Sequence, residues 1–404
     1  MQTQLTAHYI STTEGQEADA ILRRCVHCGF CLATCPTYQL SGNELDSPRG
    51  RIYLIKQLLE GQPASRSTQQ HLDRCLSCRA CETTCPSGVA YHRLADIGRH
   101  ALEAQLGRPL LEGFKRSLLK RVLRNRPLFG GLVMLGRLSR PLLPKRLASI
   151  PRLGDTRRPP PRAGRPRWLM LEGCVQPALA PAINAAAARV LAACGIDLQA
   201  LSGCCGALAW HLNDAADGLA DMRRMVAQAD HALAQGAAGV VYTASGCGAS
   251  VVEYGQLLAG DMAHAAAAAR VSASALDISD LVLQHLDQLL PQLQPPADPR
   301  LVFHAPCSLQ HGLHKKTSAE AMLVRLGYVL LPIADANLCC GSAGSYSILQ
   351  ADIASQLRSD KLAKLQAGQP SQIATANIGC QTHLQAGTRT PIRHWIELIA
   401  ERLS

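Results

Sequence analysis

Eight cysteines fall into two runs of identical spacing. Cys25, Cys28, Cys31 and Cys35 are separated by two, two and three residues, and Pro36 follows. Cys75, Cys78, Cys81 and Cys85 repeat the spacing, with Pro86 after them. Four thiolates set tetrahedrally about a small cube are what a [4Fe–4S] cluster needs. Three thiolates at two-residue gaps can wrap one cluster from a tight turn, and the fourth comes from the partner run. The expected sets are therefore Cys25, Cys28, Cys31 and Cys85 for one cluster, and Cys75, Cys78, Cys81 and Cys35 for the other. Pro36 and Pro86 cannot continue a preceding helix, so they should release the chain after each crossing cysteine. Structural zinc also takes four thiolates, but usually from paired CxxC knuckles.

Eight more cysteines form a second pattern: Cys174, Cys204, Cys205 and Cys247, then Cys307, Cys339, Cys340 and Cys380. Each vicinal pair is followed by glycine, giving two CCG sequences. Vicinal cysteines pair poorly with each other because a disulfide between them is strained. Joined by thiols from two other places in the chain, they could converge on a metal or a further iron–sulfur cluster. A packed, redox-inert thiol group is the alternative. Cys194, among alanines on a helical run, reads as a buried core residue. His383 stands three residues after Cys380, but a structural histidine is the simpler reading.

The elements that must position these thiols come from a duplication. The three cysteine points recur at offsets of 133, 135 and 133 residues. In the first copy, apolar runs at Trp168–Leu171, Ile196–Leu201 and Val240–Thr243 each precede a cysteine point. In the second they lie at Leu301–Phe303, Tyr328–Ile333 and Ile373–Thr375. Helical stretches separate them, the pattern of a parallel α/β sheet. Gly195 and Gly327 sit where helix C-caps are expected. The cysteines should then lie at the carboxyl ends of the strands, where α/β folds build sites.

The fold class is thus multidomain: an α-helical two-cluster ferredoxin domain plus two α/β CCG domains related by duplication. The expected boundaries are an N-terminal tail at 1–16, the ferredoxin domain at 17–105, a basic connector at 106–165, and CCG domains at 166–290 and 291–404. The connector ends in the run Arg157-Arg158-Pro159-Pro160-Pro161-Arg162, which should be extended.

Charge is distributed unevenly. The 41 Lys and Arg outnumber the 30 Asp and Glu, giving +11. Between Gly107 and Arg167 there are 17 basic residues and two acids, so the rest of the chain is net acidic. Positive charge confined to a connector with few aromatics argues against nucleic acid as a partner. Leu111, Phe114, Leu118 and Val122 share one helical face of the connector, with Arg116, Lys120 and Arg124 opposite. Such a helix can pack on its own protein with a solvated charged face, dock on an acidic partner or lie on an anionic membrane. The first twenty residues hold no secretory signal pattern, and no apolar run is long enough to span a bilayer. A cytoplasmic chain is expected, with peripheral contact on the cytoplasmic face of the inner membrane as an option.

No glycine-rich dinucleotide or flavin fingerprint follows any strand, and no acid–base carboxylate pair or Ser-His-Asp arrangement is recognisable. No flavin is therefore expected in this chain, and it carries no catalytic residue of its own.

The order of two ferredoxin runs followed by two CCG repeats resembles the iron–sulfur subunit of glycolate oxidase (glycolate dehydrogenase). The stretches that carry the resemblance include Cys25-Val-His-Cys-Gly-Phe-Cys, Ser47-Pro-Arg-Gly-Arg-Ile-Tyr-Leu-Ile-Lys-Gln, Thr243-Ala-Ser-Gly-Cys-Gly and Cys339-Cys-Gly-Ser-Ala-Gly. It implies that FAD-binding partner subunits oxidise glycolate to glyoxylate, and that this subunit carries electrons to an acceptor such as a quinone. It also implies that the eight ferredoxin cysteines are the cluster ligands. Electron-transfer subunits of lactate or other 2-hydroxy-acid dehydrogenases, or of anaerobic glycerol-3-phosphate dehydrogenase, are alternatives. A redox-sensing iron–sulfur protein is an alternative from another class. The repeats also resemble those of the CCG-bearing subunit of heterodisulfide reductase, which end in CxxC. Here each ends in a single cysteine, Cys247 or Cys380, which argues against a noncubane cluster of that type.

Overall fold

The computed structural model describes residues 1–139 and 154–404; positions 140–153 of the basic connector lie outside the described residues. The chain divides into two compact units. One comprises Met1–Ser117 with Asn337–Lys361, the other Leu118–Ala336 with Leu362–Ser404.

The first unit is helical. Its main helices are α1 (Thr13–Arg24), α2 (Pro36–Ser41), α3 (Pro48–Leu59), α4 (Arg66–Asp73) and α5 (Tyr91–Leu106). Hydroxyls start three of them: Thr12, Ser47 and Ser65 accept the backbone N–H of Gly15, Gly50 and Thr68, satisfying donors that a helix start leaves unpaired. Pro36 takes the first turn of α2, where its missing N–H costs nothing. It therefore opens a new helix beyond Cys35 as well as ending the cysteine run. Ile21 and Leu22 of α1, Ile52, Ile55 and Leu59 of α3, and Leu94, Ile97 and Leu102 of α5 form one core at helical spacing. Cys25 and Cys81 are buried members of that core, and Cys31, Cys75 and Cys85 pack against it. The thiol loops are thus anchored on the apolar interior.

Among its described residues the connector forms the helices α6 (Leu110–Arg124) and α7 (Arg126–Leu138). The predicted amphipathic pattern is present, but its charged face points inward. In the first unit Arg116 bonds Asp73 and Glu112 at 3.2 and 3.0 Å. In the second, Lys120 bonds Asp214 and Asp217, and Arg124 grips Asp221 through two bonds of 2.6 and 2.8 Å. Leu111, Phe114 and Leu118 are left exposed on α6, as are Leu128, Leu132, Leu135 and Leu138 on α7.

The second unit holds two parallel sheets. The first has β1 (Arg167–Gly173), β2 (Asp197–Ser202), β3 (Val240–Tyr242) and β4 (Ala275–Asp277) in the order β2-β1-β3-β4. The second has β5 (Arg300–His304), β6 (Val329–Leu330), β7 (Ile373–Thr375) and β8 (Ile392–His394) in the order β6-β5-β7-β8. Every named strand pair is parallel. The two orders are the same, as a duplication requires. The apolar runs mark three strands per copy; β4 and β8 are additions, three residues each. Gly195 and Gly327, at φ +78° and +90°, follow the helices Pro181–Ala193 and Lys316–Arg325 in the left-handed conformation that ends a helix.

The two copies share one core. Ile183, Val190 and Leu191 of the first copy pack in it with Phe303, Trp395 and Ile399 of the second. Polar contacts also join them. The buried His394 donates through Nε2 to the Thr243 carbonyl at 2.9 Å and accepts the Ile396 N–H on Nδ1. With both nitrogens so engaged the ring is neutral, and burial lowers its pKa to about 4. Close packing extends to the helix after β3, where a Cβ on Gly248 would stand 2.1 Å from the buried Tyr242 ring. Gly248→Ala should therefore cost about 1–3 kcal/mol by overpacking and lower the thermal unfolding midpoint. Gly260→Ala, with nothing within 4 Å of the new methyl, should leave it unchanged.

Candidate iron–sulfur centres

Each ferredoxin run bends around a hollow. The first hollow, partly open, is lined by Cys25, Cys28, Cys31, Cys81 and Cys85. The second is lined by Cys35, Cys75, Cys78 and Cys81, so Cys81 borders both. Each run thus sends its last cysteine to the other run's hollow.

The backbone explains why three thiols can turn inward so close together. The two runs are offset by 50 residues throughout, and they share the same left-handed positions. His27 and Gly29 have φ of 56° and 85°; Ser77 and Arg79 have 51° and 62°. Left-handed backbone in three non-glycine residues is strain of the kind found at functional sites. It turns successive N–H groups toward a common point, a concavity suited to anionic groups. The Ser77 N–H donates to Cys75 Sγ at 3.4 Å.

The thiol environments differ. Burial and the neighbouring Cys25 push Cys31 up to about 11. Burial, Cys78 and Cys75 push Cys81 well above its ordinary value. Cys75 moves the other way. Burial opposes its charge, but the guanidiniums of Arg51 and Arg99 more than offset it and lower the thiol. Arg51 is 1% exposed. It donates from Nε to the His71 carbonyl at 2.7 Å, and its Nη atoms reach Thr37 Oγ1 at 3.2 Å. Arg99 donates to the Leu72 and Cys75 carbonyls at 3.0 and 2.9 Å and to Ser77 Oγ at 3.0 Å. The Tyr91 hydroxyl points at Cys75 Sγ from 3.7 Å. Thr37 Oγ1 lies 3.3 Å from Cys35 Sγ.

Asp46 ties this corner together. Its carboxylate contacts His71 Nδ1 at 2.9 Å, Arg74 at 3.0 Å and Arg51 at 3.5 Å, and it is 2% exposed. None of Asp46, Arg51, Tyr91 and Arg99 is a candidate from motif spacing. One signal was present: Arg51 shares a helical face with Ile55 and Leu59, an apolar stripe in which a charge needs a reason.

In the first repeat the four thiols meet. Cys174 and Cys205 each hydrogen-bond Cys204, and Cys205 also bonds Cys247. Bonds from its two neighbours lower Cys204 against the effect of burial, with help from the Gly206 N–H and Arg124. The same bonds, with burial, raise Cys174 and Cys205. The Tyr254 hydroxyl fixes the Cys205 carbonyl at 2.8 Å. Four soft donors linked in a chain, Cys174 to Cys204 to Cys205 to Cys247, suit a thiophilic metal or a further cluster.

The second repeat is divided between the units. Cys339 and Cys340 belong to the segment 337–361 of the first unit, whereas Cys307 and Cys380 belong to the second. In the first unit the Gly341 N–H donates to Cys339 Sγ at 3.5 Å, and the Tyr346 hydroxyl donates to the Arg74 carbonyl at 3.0 Å. Tyr346 is buried, and it senses both Cys75 and Cys339. In the second unit a ring nitrogen of the buried His304 lies within 4.8 Å of Cys380 Sγ. His304 stands where the first repeat has Leu171, which spacing rules did not flag. Cys194 is a core residue, 3% exposed, as expected.

Known families agree with this architecture. A 4Fe-4S dicluster domain matches residues 21–89, and a cysteine-rich (CCG) domain matches 168–251 and 301–385. The fold and the thiol sites define an iron–sulfur electron-transfer subunit built from a ferredoxin-type domain and duplicated cysteine-rich domains. The chain is 49% identical to the glycolate oxidase iron-sulfur subunit of Escherichia coli K12, over 100% of this chain and 99% of that one. It is 30% identical to a probable glycolate oxidase iron-sulfur subunit of Bacillus subtilis, over 91% and 89% of the two chains. A weaker likeness, 22% over 90% of this chain and 68% of the other, is to a fumarate reductase (CoM/CoB) subunit of Methanothermobacter marburgensis. The chain belongs to the glycolate oxidase iron–sulfur subunit family.

Because Asp46 is the shared buried partner of Arg51, Arg74 and His71, Asp46→Ala should cost about 3–5 kcal/mol, the range for breaking a buried ion pair. The check is urea unfolding followed by far-UV circular dichroism, where the midpoint should fall clearly below that of the parent.

Proposed function

We propose that this chain is the electron-carrying subunit of a glycolate-oxidising complex. It takes electrons from a flavoprotein partner that converts glycolate to glyoxylate and passes them to an acceptor, a quinone being the best candidate. The observation that carries this reading is the pair of four-thiol hollows in a chain of that family. Cys25, Cys28, Cys31 and Cys85 would hold one [4Fe–4S] cluster, and Cys35, Cys75, Cys78 and Cys81 the other. When bound, such clusters supply one-electron storage with no bond made or broken in a substrate. The chain's own residues wrap, bury and charge-balance the thiols. Cys174, Cys204, Cys205 and Cys247 could take a further cluster, as could Cys307, Cys339, Cys340 and Cys380.

The two hollows differ in access. Cys28 is exposed, and Val26 and Phe30 on the same rim are 67% and 62% exposed. An exposed apolar rim beside a cluster suits contact with the flavoprotein, so electrons arrive at the first hollow. Cys28→Ser and Cys78→Ser should each remove glycolate-dependent dye reduction by the assembled complex while the flavoprotein still co-purifies. Full activity in both variants would overturn the reading.

The exposed face of α6 and α7 supports a peripheral membrane site. No described helix is long and apolar enough to cross a membrane. Residues 113–154 contain no Asp or Glu. Lys115 and Arg121 are exposed beside Phe114 and Leu118. An apolar strip flanked by cations, with the neighbouring acids Glu112, Asp214 and Asp217 held in ion pairs, fits the surface of anionic lipid. The complex should therefore sediment with anionic vesicles in low salt and much less with zwitterionic ones. Leu111→Ser combined with Phe114→Ser should abolish that binding. Unchanged sedimentation would overturn the membrane site, as would loss of the flavoprotein from the double variant.

A further inference from the structure

We infer that the two ferredoxin centres are unequal, with the one at Cys35, Cys75, Cys78 and Cys81 the more easily reduced, and that Arg51, Arg99 and Tyr91 set this order. The inference rests on the ligand sets proposed above.

Reducing a thiolate-bound cluster adds one negative charge. Two influences act on it in opposite directions. Burial removes water that would stabilise the added charge and so disfavours reduction. Fixed positive charge and hydrogen bonds to the ligand sulfurs favour it. The second hollow has more of both. Its Cys35 and Cys81 are buried, while Cys28 in the first is exposed.

The charge balance decides which influence wins. Arg51 lines the second hollow, and Arg99 reaches the Cys75 carbonyl from behind it. Asp46 neutralises only part of this charge, because Arg74 and His71 share its two oxygens with Arg51. The carboxylate nearest Arg99, that of Asp96, is 3.9 Å away. Two hydroxyls face the ligand sulfurs: Tyr91 at Cys75 and Thr37 at Cys35. The first hollow has Arg49 on its wall, one-third exposed and paired with Glu44 at 2.8 Å, and behind Cys25 the N-terminal ammonium of Met1, which donates to the Cys25 carbonyl at 2.7 Å.

A direction of flow follows. Electrons arriving at the exposed first centre run downhill to the buried second one, with no proton moved. Arg51, Arg99 and Tyr91 are positioning residues: they act on the cluster through Cys75, and none is a ligand.

The test is an EPR-monitored redox titration of the purified cluster-bearing complex. Two midpoints are expected. Cys78→Ser should alter the signal with the higher midpoint, and Cys28→Ser the other. Tyr91→Phe, which keeps the ring and its packing, should lower the higher midpoint and leave the lower one in place. Arg51→Gln should lower it further, and Arg51→Lys should restore part of the difference. Should Arg51→Gln fail to fold, Tyr91→Phe and Arg51→Lys still decide the matter. The inference is overturned if the higher midpoint belongs to the signal altered by Cys28→Ser, or if Tyr91→Phe and Arg51→Lys both leave it unmoved. If Cys78→Ser and Cys28→Ser each disturb both signals alike, it is the ligand assignment that fails.

Discussion

A short cysteine loop can aim three thiols at one point but not four. The chain must leave the loop before a fourth sulfur can come round, and this constraint organises the whole N-terminal unit. Cys35 and Cys85 each lie four residues beyond the last thiol of their own loop, and each lines the hollow of the other. The two loops therefore have to be held side by side at fixed separation. Helices α3 and α5 do this, packing so tightly that a Cβ on Gly98 would meet Ile55 Cγ1 at 2.5 Å. Pro36 starts α2 directly after the crossing cysteine, which fixes where that sulfur stands. Core, caps and crossing thiols are one mechanical system.

Bringing thiolates together in an apolar interior raises an electrostatic problem, and the protein meets it differently at each site. At Cys75 it uses buried guanidiniums and a tyrosine hydroxyl. In the first repeat it uses the thiols themselves: Cys204 is stabilised as the anion by bonds from Cys174 and Cys205, with Arg124 nearby. Arg124 in turn is held by Asp221 and Asp217. The positive charge of Arg116, Lys120 and Arg124, which in the sequence suggests an external partner, is thus spent on internal ion pairs. That is why the apolar side of α6 is left facing outward.

Much of this was legible in the sequence. The spacing of Cys25 to Cys35 and of Cys75 to Cys85 carries its own geometry, because two-residue gaps suit a wrapping turn. The repeat offsets and the apolar runs of β1, β2, β3, β5, β6 and β7 revealed the duplicated sheets. The fourth strands escaped notice because Ala275–Asp277 and Ile392–His394 are too short to show a periodic pattern; only pairing with β3 and β7 defines them. The inward charge of α6 was hidden for another reason. Periodicity separates two faces of a helix but does not say which one the acids of a distant segment, Asp214 to Asp221, will cover. Arg51 and Asp46 are 5 residues apart in sequence, yet their partnership with His71 and Arg74 exists only after α4 has docked. The grouping of Cys339 and Cys340 with the first unit is likewise a property of the fold and of no local motif.

Cys35→Ser decides whether the two runs exchange sulfurs. Resonance Raman or EPR spectra of the purified subunit distinguish the two centres by comparison with Cys28→Ser and Cys78→Ser. Cys35→Ser should disturb the centre disturbed by Cys78→Ser and leave the Cys28 centre intact. Disturbance of the Cys28 centre alone would mean that each run binds its own cluster and that no sulfur is exchanged.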